Sequence, residues 1–187
     1  MDMHLILRTL LILIKARRRP PASLWEPTEI TLRAMLTDVD LLRHINNGQY
    51  FSLFDLGRYD LMVRSGFWDA CRRRGWYAVV QAEQVTFRRS VNLWQRFRLA
   101  TRIIGVDDRC FYIEHRVVVG GEIAVRAYVA GRLIGPQGPV PMEEILNLAA
   151  EIGDPAPENF EVPEKLRRWR EDFALPSSRR AVPHDWD

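Results

Sequence analysis

The sequence predicts an α+β fold in which an antiparallel sheet of five or more strands curls around one long central helix. Three observations predict it. A strand-like alternation begins at Thr28. A helix-period stripe with a glycine at its centre fills residues 47–64. Four strand-like runs joined by short turns then fill residues 76–134, with no helical pattern between them.

Residues 3–14 come first in the chain and are strongly apolar. Arg8 interrupts them, and Lys15, Arg17, Arg18, Arg19 and then Pro20-Pro21 follow. The run is shorter than the roughly 20 residues a membrane span needs. Its positive charge follows the apolar run, which is the wrong order for a cleavable leader. Two readings stay open. The segment is an interfacial helix held by apolar burial and a basic cluster on anionic lipid, or it covers an apolar groove on its own or a partner subunit. Residues 1–21 are therefore expected to form an appendage and linker, 22–150 the main domain, and 151–187 a C-terminal extension.

Ile30, Leu32, Ala34 and Leu36 alternate with Thr31, Arg33 and Met35, as in a half-buried strand. The turn that follows, Asp38-Val39-Asp40-Leu41-Leu42-Arg43-His44-Ile45-Asn46-Asn47-Gly48, crowds two acids, a histidine and two asparagines together. It leads into the central helix, with Asn46 or Asn47 as the expected N-cap. Tyr50, Phe54, Gly57 and Leu61 then form one apolar stripe. A mid-helix glycine costs about 1 kcal/mol against alanine, so Gly57 predicts close approach of the helix backbone to another element. Gly66 is the expected stop, and residues 67–75 are expected to be loose.

The four strand-like runs are 76–88, 93–104, 110–119 and 122–134. Gly105-Val106-Asp107-Asp108 and Gly120-Gly121 read as hairpin turns, the second more clearly. Short helices are expected at 142–150 and 163–173, the latter with Leu166, Trp169 and Phe173 on one side. Arg96, Arg98, Arg102, Arg116, Arg126 and Arg132 share the other sheet face. They form a solvated face, or some of them hold the phosphates of a nucleotide-tailed substrate.

Composition narrows the function classes. Of the 187 residues 47% are hydrophobic, which fits a folded domain with a sizeable core. A formal charge of +3 gives no nucleic-acid footprint. Lys15 and Lys165 are the only lysines, so arginine carries almost all the positive charge. Cys71 and Cys110 form no spaced pair and read as free core thiols of a reducing compartment. His4, His44, His115 and His184 show no metal-ligand spacing, so neither a metal nor another cofactor is expected. His115, inside a strand-like run, reads as structural.

The chemistry concentrates in the 38–50 turn. A carboxylate beside a helix N-terminus can act as base or nucleophile, while the unpaired N–H groups of the helix end receive a developing oxyanion. Asp38 is assigned to turn formation. Asp40 is the candidate reacting acid and His44 the candidate that orients it.

The residues Asp38-x-Asp40-x-x-x-His44-x-Asn46-Asn47-x-x-Tyr50, supported by Phe87-Arg88-Arg89-Ser90-Val91, resemble the hotdog-fold thioesterases of the 4-hydroxybenzoyl-CoA and acyl-ACP types. The resemblance covers about residues 28–150. It implies hydrolysis of an acyl-CoA or acyl-ACP thioester, with Asp40 as base or nucleophile and His44 as helper. Asn46, Asn47, Gly48, Tyr50, Phe54, Arg88 and Arg89 would shape the substrate site, and N–H groups near Asn47 and Gly48 would bind the oxyanion. The acyl chain would run along Phe54 and Leu61. The resemblance also implies at least a homodimer whose sites are lined by both subunits. Leu42 stands where acyl-ACP enzymes often carry asparagine, and Asn47 where hydroxybenzoyl enzymes carry an aromatic. These departures and the apolar, basic N-terminus motivate an alternative, a non-catalytic membrane-associated acyl-chain or acyl-CoA binder. A hotdog dehydratase ranks below both, because its histidine–acid motif is not evident. The expected location is cytoplasmic, with contact to the inner face of a membrane.

Overall fold

The computed structural model describes residues 3–176, 180–182 and 184. Positions 1–2 of the expected appendage and 177–179, 183 and 185–187 of the expected extension lie outside the described residues. The chain runs α1 (Met3–Arg18), β1 (Thr28–Arg33), α2 (Gln49–Arg64), α3 (Phe67–Arg73), β2 (Tyr77–Phe87), β3 (Arg96–Val106), β4 (Phe111–Val119), β5 (Glu122–Gly135), β6 (Gly138–Pro139), α4 (Met142–Glu151) and α5 (Glu164–Asp172). The main strands pair antiparallel in the order β1-β3-β4-β5-β2, with β6 beside β5. This is the expected hotdog arrangement. α2 lies on the concave face, where Leu53, Phe54 and Leu56 join Leu99, Val117, Val125 and Ala127 in one core.

The depth of α2 in the sheet is set at Gly57. A Cβ there would run into Thr101 Oγ1 and lie 3.1 Å from Leu99 Cδ2. Thr101 Oγ1 in turn lies 2.9 Å from Nδ1 of His115, whose ring stacks on Phe54 at 4.8 Å. His115 is fully buried; burial, with the Arg58 guanidinium nearby, holds its pKa well below the ordinary value. The imidazole is therefore neutral, and its Nε2 faces the Arg58 guanidinium at 3.4 Å. Arg58 is also gripped by Glu83 at 3.1 Å and Asp55 at 2.6 Å. The structural reading of His115 agrees with this placement; Asp55 and Glu83 reach it through Arg58.

The turn glycines behave as their positions require. Gly66, at φ +77°, ends α2, and Gly120 and Gly121, at φ +58° and +83°, form the β4–β5 turn. Residues 67–75, expected to be loose, instead hold α3. Phe67, Ala70 and Cys71 fall at helical spacing and face the core, which a short helix achieves and a loop would not. The turn expected at 105–108 lies further on, closed by Asp107 N–H on the Cys110 carbonyl. β3 runs through Gly105, where the register shifts against β4.

The first and last helices pack on opposite sides of the sheet, α1 with Ile12 in the concave core and α5 with Leu166 against Cys110, Tyr112 and Ala130. Leu166 and Arg170 of α5 are buried, and Arg170 meets Asp107 at 3.1 Å and the Tyr112 hydroxyl at 2.7 Å. Gly105 leaves room for this strap, since a Cβ there would sit 2.5 Å from the Val162 Cα. α1 lies along α2 and the free edge of β1. Arg8 within it and Arg19 just past its end grip two buried carboxylates, Arg8 on Asp38 at 2.8 Å and Arg19 on Asp60 at 2.9 Å. The same arginines donate to the β1 carbonyls of Arg33 and Glu29. α1 thus blunts an edge strand that would otherwise be an open pairing template.

Gly57→Ala should lower stability by about 2 kcal/mol in urea unfolding, although alanine is the better helix former, because the methyl group displaces Thr101. An equal or more stable variant would mean that α2 can move away from the sheet without loss.

Candidate active site

Loop 38–46 joins β1 to α2 and is closed at its base. Asn46 N–H donates to the Asp38 carbonyl at 2.8 Å, Asp40 N–H donates to the His44 carbonyl at 3.0 Å, and Val39 bridges Ile45. Arg43, at φ +62°, turns the tip, a strained conformation for a residue with a Cβ. The segment ahead of β3 forms the other wall. Ile45 N–H donates to the Val91 carbonyl and Leu93 N–H to the Arg43 carbonyl, each at 2.9 Å.

Within this loop the carboxylate of Asp40 lies 3.4 Å from Nδ1 of His44 and accepts the Leu42 N–H at 2.9 Å. Both side chains are 28% exposed, open enough to meet a ligand and sheltered enough to be held. Leu42 contributes its backbone; its side chain is 75% exposed. Asn47 is likewise exposed. Asp38 makes the expected turn, its carboxylate accepting the Met35 N–H at 2.8 Å. It also carries the Arg8 ion pair, which was not anticipated. A lone arginine inside an apolar helical run signals the need for a partner if that face is buried, but not which carboxylate supplies it.

The start of α2 differs from the expected cap. Gly48 is the N-cap residue, and neither Asn46 nor Asn47 occupies that position. Asn46 acts one step earlier: its Oδ1 accepts the Gly48 N–H and its carbonyl the Gln49 N–H, each at 2.9 Å. The Gly48 N–H is therefore already used inside the turn. The donors that helix geometry leaves without intrahelical partners continue through Tyr50 and Phe51. Tyr50 is 2% exposed. Its ring lies 5.5 Å from Phe87. Burial pushes its phenol up to about 12 against the opposing hydrogen bond from the Val91 backbone, so the hydroxyl stays protonated.

Phe54, expected along the acyl path, lies in the filled core. It is 0% exposed, stacked on His115 and 6.2 Å from Tyr50. Leu61, its companion on that path, does line a cavity. This cavity, of about 370 Å³, sits between the C-terminal half of α2, α3 and the sheet. Tyr59, Met62, Trp68, Trp76 and Val79 are among its walls, and Asp55, Arg58 and Arg72 also border it. The Cys71 thiol on its wall is pushed up to about 12 by burial, against the opposing Arg74 charge, and is inert. Arg88 and Arg89 lie just beyond β2, where both meet Glu122, at 3.0 and 3.5 Å. On the convex face, arginines that could have been free are engaged. Arg102 and Arg116 bracket Glu114, whose pKa burial raises but whose hydrogen bonds to them hold it below the ordinary value, while Arg98 pairs with Glu29. Among the described residues, no group of three or more His, Cys, Asp and Glu side chains could hold a metal ion.

Comparison with known proteins gives the family and the fold. Residues 35–169 match the model of the thioesterase-like superfamily. The chain belongs to that superfamily. Protein THEM6 of Xenopus laevis is 31% identical over 133 residues, which is 71% of this chain and 64% of the frog protein. A probable thioesterase from Bartonella henselae superposes with a TM-score of 0.57 at 21% identity, covering 62% of this chain and 98% of its own. A hypothetical protein from Staphylococcus aureus, solved in complex with CoA, superposes with a TM-score of 0.56 at 15% identity, covering 78% of this chain and 94% of its own. These two structures share the fold.

Proposed function

We propose that the protein hydrolyses an acyl-CoA or acyl-ACP thioester, with Asp40 as the reacting carboxylate. The observation that carries this is the Asp40–His44 contact in a half-sheltered loop running directly into the N-terminus of α2. Asp40 would take a proton from water as it attacks the thioester carbonyl, or attack that carbon itself. The oxyanion would meet N–H groups in the first turn of α2 and the positive end of its dipole. His44 would orient the carboxylate or water, or help protonate the departing thiolate. Asn46 shapes the donor end of the helix, and Asn47, Gly48 and Tyr50 border the carbonyl site. Arg88 and Arg89 would meet the phosphates of a CoA tail by exchanging Glu122 for them. The CoA complex of the staphylococcal structure supports the same carrier chemistry.

Within one chain, Asp40 and the apolar cavity lie towards opposite ends of α2, with Tyr50, Phe54 and His115 filling the core between them. A homodimer resolves this. β2 is an edge strand with Tyr77, Val80 and Phe87 exposed. Antiparallel pairing of two β2 edges would run the copies head to tail and bring the cavity of one towards the Asp40 of the other. The acyl group would then enter a cavity supplied by the partner. Light scattering should give a dimer; a monomer at assay concentrations would contradict this arrangement.

α1 adds a second surface. Ile6, Leu7, Leu10, Leu11 and Ile14, 39–57% exposed, share its outward face, and Lys15, Arg17 and Arg18 fill its last turn. None of the described helices is long and apolar enough to cross a membrane. The face fits peripheral contact with an anionic cytoplasmic leaflet. Replacing Leu7, Leu10 and Leu11 with glutamine should reduce sedimentation with phosphatidylserine vesicles at least tenfold; unchanged sedimentation would remove membrane contact from the proposal.

Thiol release from a panel of acyl-CoA and acyl-ACP thioesters tests the activity itself. Asp40→Asn should lower kcat by 100-fold or more, about 2.7 kcal/mol of transition-state stabilisation. Full activity in that variant would take Asp40 out of the chemistry. Tight acyl-CoA binding by a wild type without turnover would favour the non-catalytic binder instead.

A further inference from the structure

We propose that Arg8 is a positioning residue for Asp40, so that the N-terminal helix is a working part of the site. The inference rests on the reading of Asp40 as the reacting carboxylate, but the geometry that carries it does not. Asp38 is where α1, β1 and the loop meet. Its side chain is 4% exposed, and the Arg8 Nη1 lies 2.8 Å from both carboxylate oxygens. One of those oxygens also accepts the Met35 N–H just beyond β1. Through its backbone, Asp38 donates to the Met35 carbonyl and accepts the Asn46 N–H at the start of α2. Asp40 and His44 lie inside the loop that this closure defines, two residues in from either end.

Arg8 neutralises a charge that water barely reaches. Without it, the Asp38 carboxylate is left buried with the Met35 N–H as its donor among the described residues. It must then swing towards solvent, since an unpaired buried charge is strongly unfavourable. A swing moves the base of the loop, and the strained tip at Arg43 gives the loop a reason to relax once its base is free. The Asp40–His44 contact, already 3.4 Å, would open. Displacement of a reacting group by about 1 Å can cost on the order of 100-fold in rate. Arg19 on Asp60 and Ile12 in the core anchor α1 independently. Removal of the Arg8 side chain therefore tests the ion pair and not the docking of the helix.

The experiment follows the histidine ring signals of the full chain by two-dimensional NMR, in wild type, Arg8→Ala, Arg8→Lys, Asp40→Asn and the Arg8→Ala/Asp40→Asn pair. The His44 signals should move in Arg8→Ala towards their positions in Asp40→Asn, and Arg8→Ala should add nothing once Asp40 is asparagine. The fully buried His115 should stay in place and report an intact core. Arg8→Lys, which keeps the charge but loses the fork, should move His44 in the same direction by less, and decides the matter if Arg8→Ala does not fold. In thioester hydrolysis, Arg8→Ala should lower kcat at least tenfold with KM within twofold. Unmoved His44 signals in a variant with wild-type His115 signals overturn the proposal, as does an equal shift in the Asp40→Asn background. A wild type that hydrolyses no thioester would defeat the hydrolase reading and leave the His44 result to judge Arg8 alone.

Discussion

The close approach of α2 to the sheet at Gly57 is the constraint on which the rest of the structure depends. Only a residue without a Cβ lets Thr101 reach under the helix, and Thr101 in turn holds the His115 ring flat against Phe54. That stack fills the core beneath the first half of α2 and fixes the height of its N-terminus. The Asp40 loop is built on that N-terminus. It is pinned to the segment ahead of β3 on one side and to α1 through Asp38 on the other. A helix lying even slightly higher would carry its free N–H groups away from the loop, and no local hydrogen bond within 38–46 could restore them.

A second regularity is how the molecule handles buried charge. Asp38, Asp60 and Asp107 are each shielded from solvent and met by an arginine from a distant part of the chain, while Glu114 is held by Arg102 of the neighbouring strand and Arg116 of its own. Burial raises the Asp107 carboxyl, but the Tyr112 hydroxyl, the Arg109 and Cys110 N–H groups and Arg170 together pull it below the ordinary value. The planar guanidinium suits this task because it can satisfy a carboxylate and a backbone carbonyl at once, as Arg8 and Arg19 do along the β1 edge. Such pairs contribute modestly to net stability but define which element packs where. Other arginines pair with exposed carboxylates, as Arg74 does with Glu151, Arg98 with Glu29, and Arg88 and Arg89 with Glu122.

The parts of the fold legible in the sequence are those with a period. The alternation of β1, the stripe of α2, the four runs of the meander and the Gly120-Gly121 turn are local patterns, and the structure keeps them with boundary changes of a few residues. Gly57 was legible as well, because a glycine in the middle of a helical stripe demands a close neighbour. α3 was missed because seven residues show barely two helical turns. The cap was misplaced because Asn46 bonds forward from outside the helix, and no propensity distinguishes that from a true N-cap. The Asp40–His44 pair was legible from the crowded turn. The Arg8–Asp38 and Arg170–Asp107 pairs, 30 and 63 residues apart, could come only from the folded chain. Phe54 shows the limit of stripe reasoning: the pattern marked a face towards the sheet, and the structure shows that face filled by His115 rather than left open for an acyl chain.

The central claim is that Asp40 and the N-terminus of α2 together receive a thioester carbonyl. The most direct measurement is a crystal structure of the protein with a non-hydrolysable acyl-CoA ketone analogue. The carbonyl oxygen should lie within hydrogen-bond distance of N–H groups in the first turn of α2. The Asp40 carboxylate should face the carbonyl carbon, directly or through one water, with the acyl group in an apolar cavity. An analogue bound with its carbonyl away from α2, or with Asp40 turned out of reach, would contradict the claim.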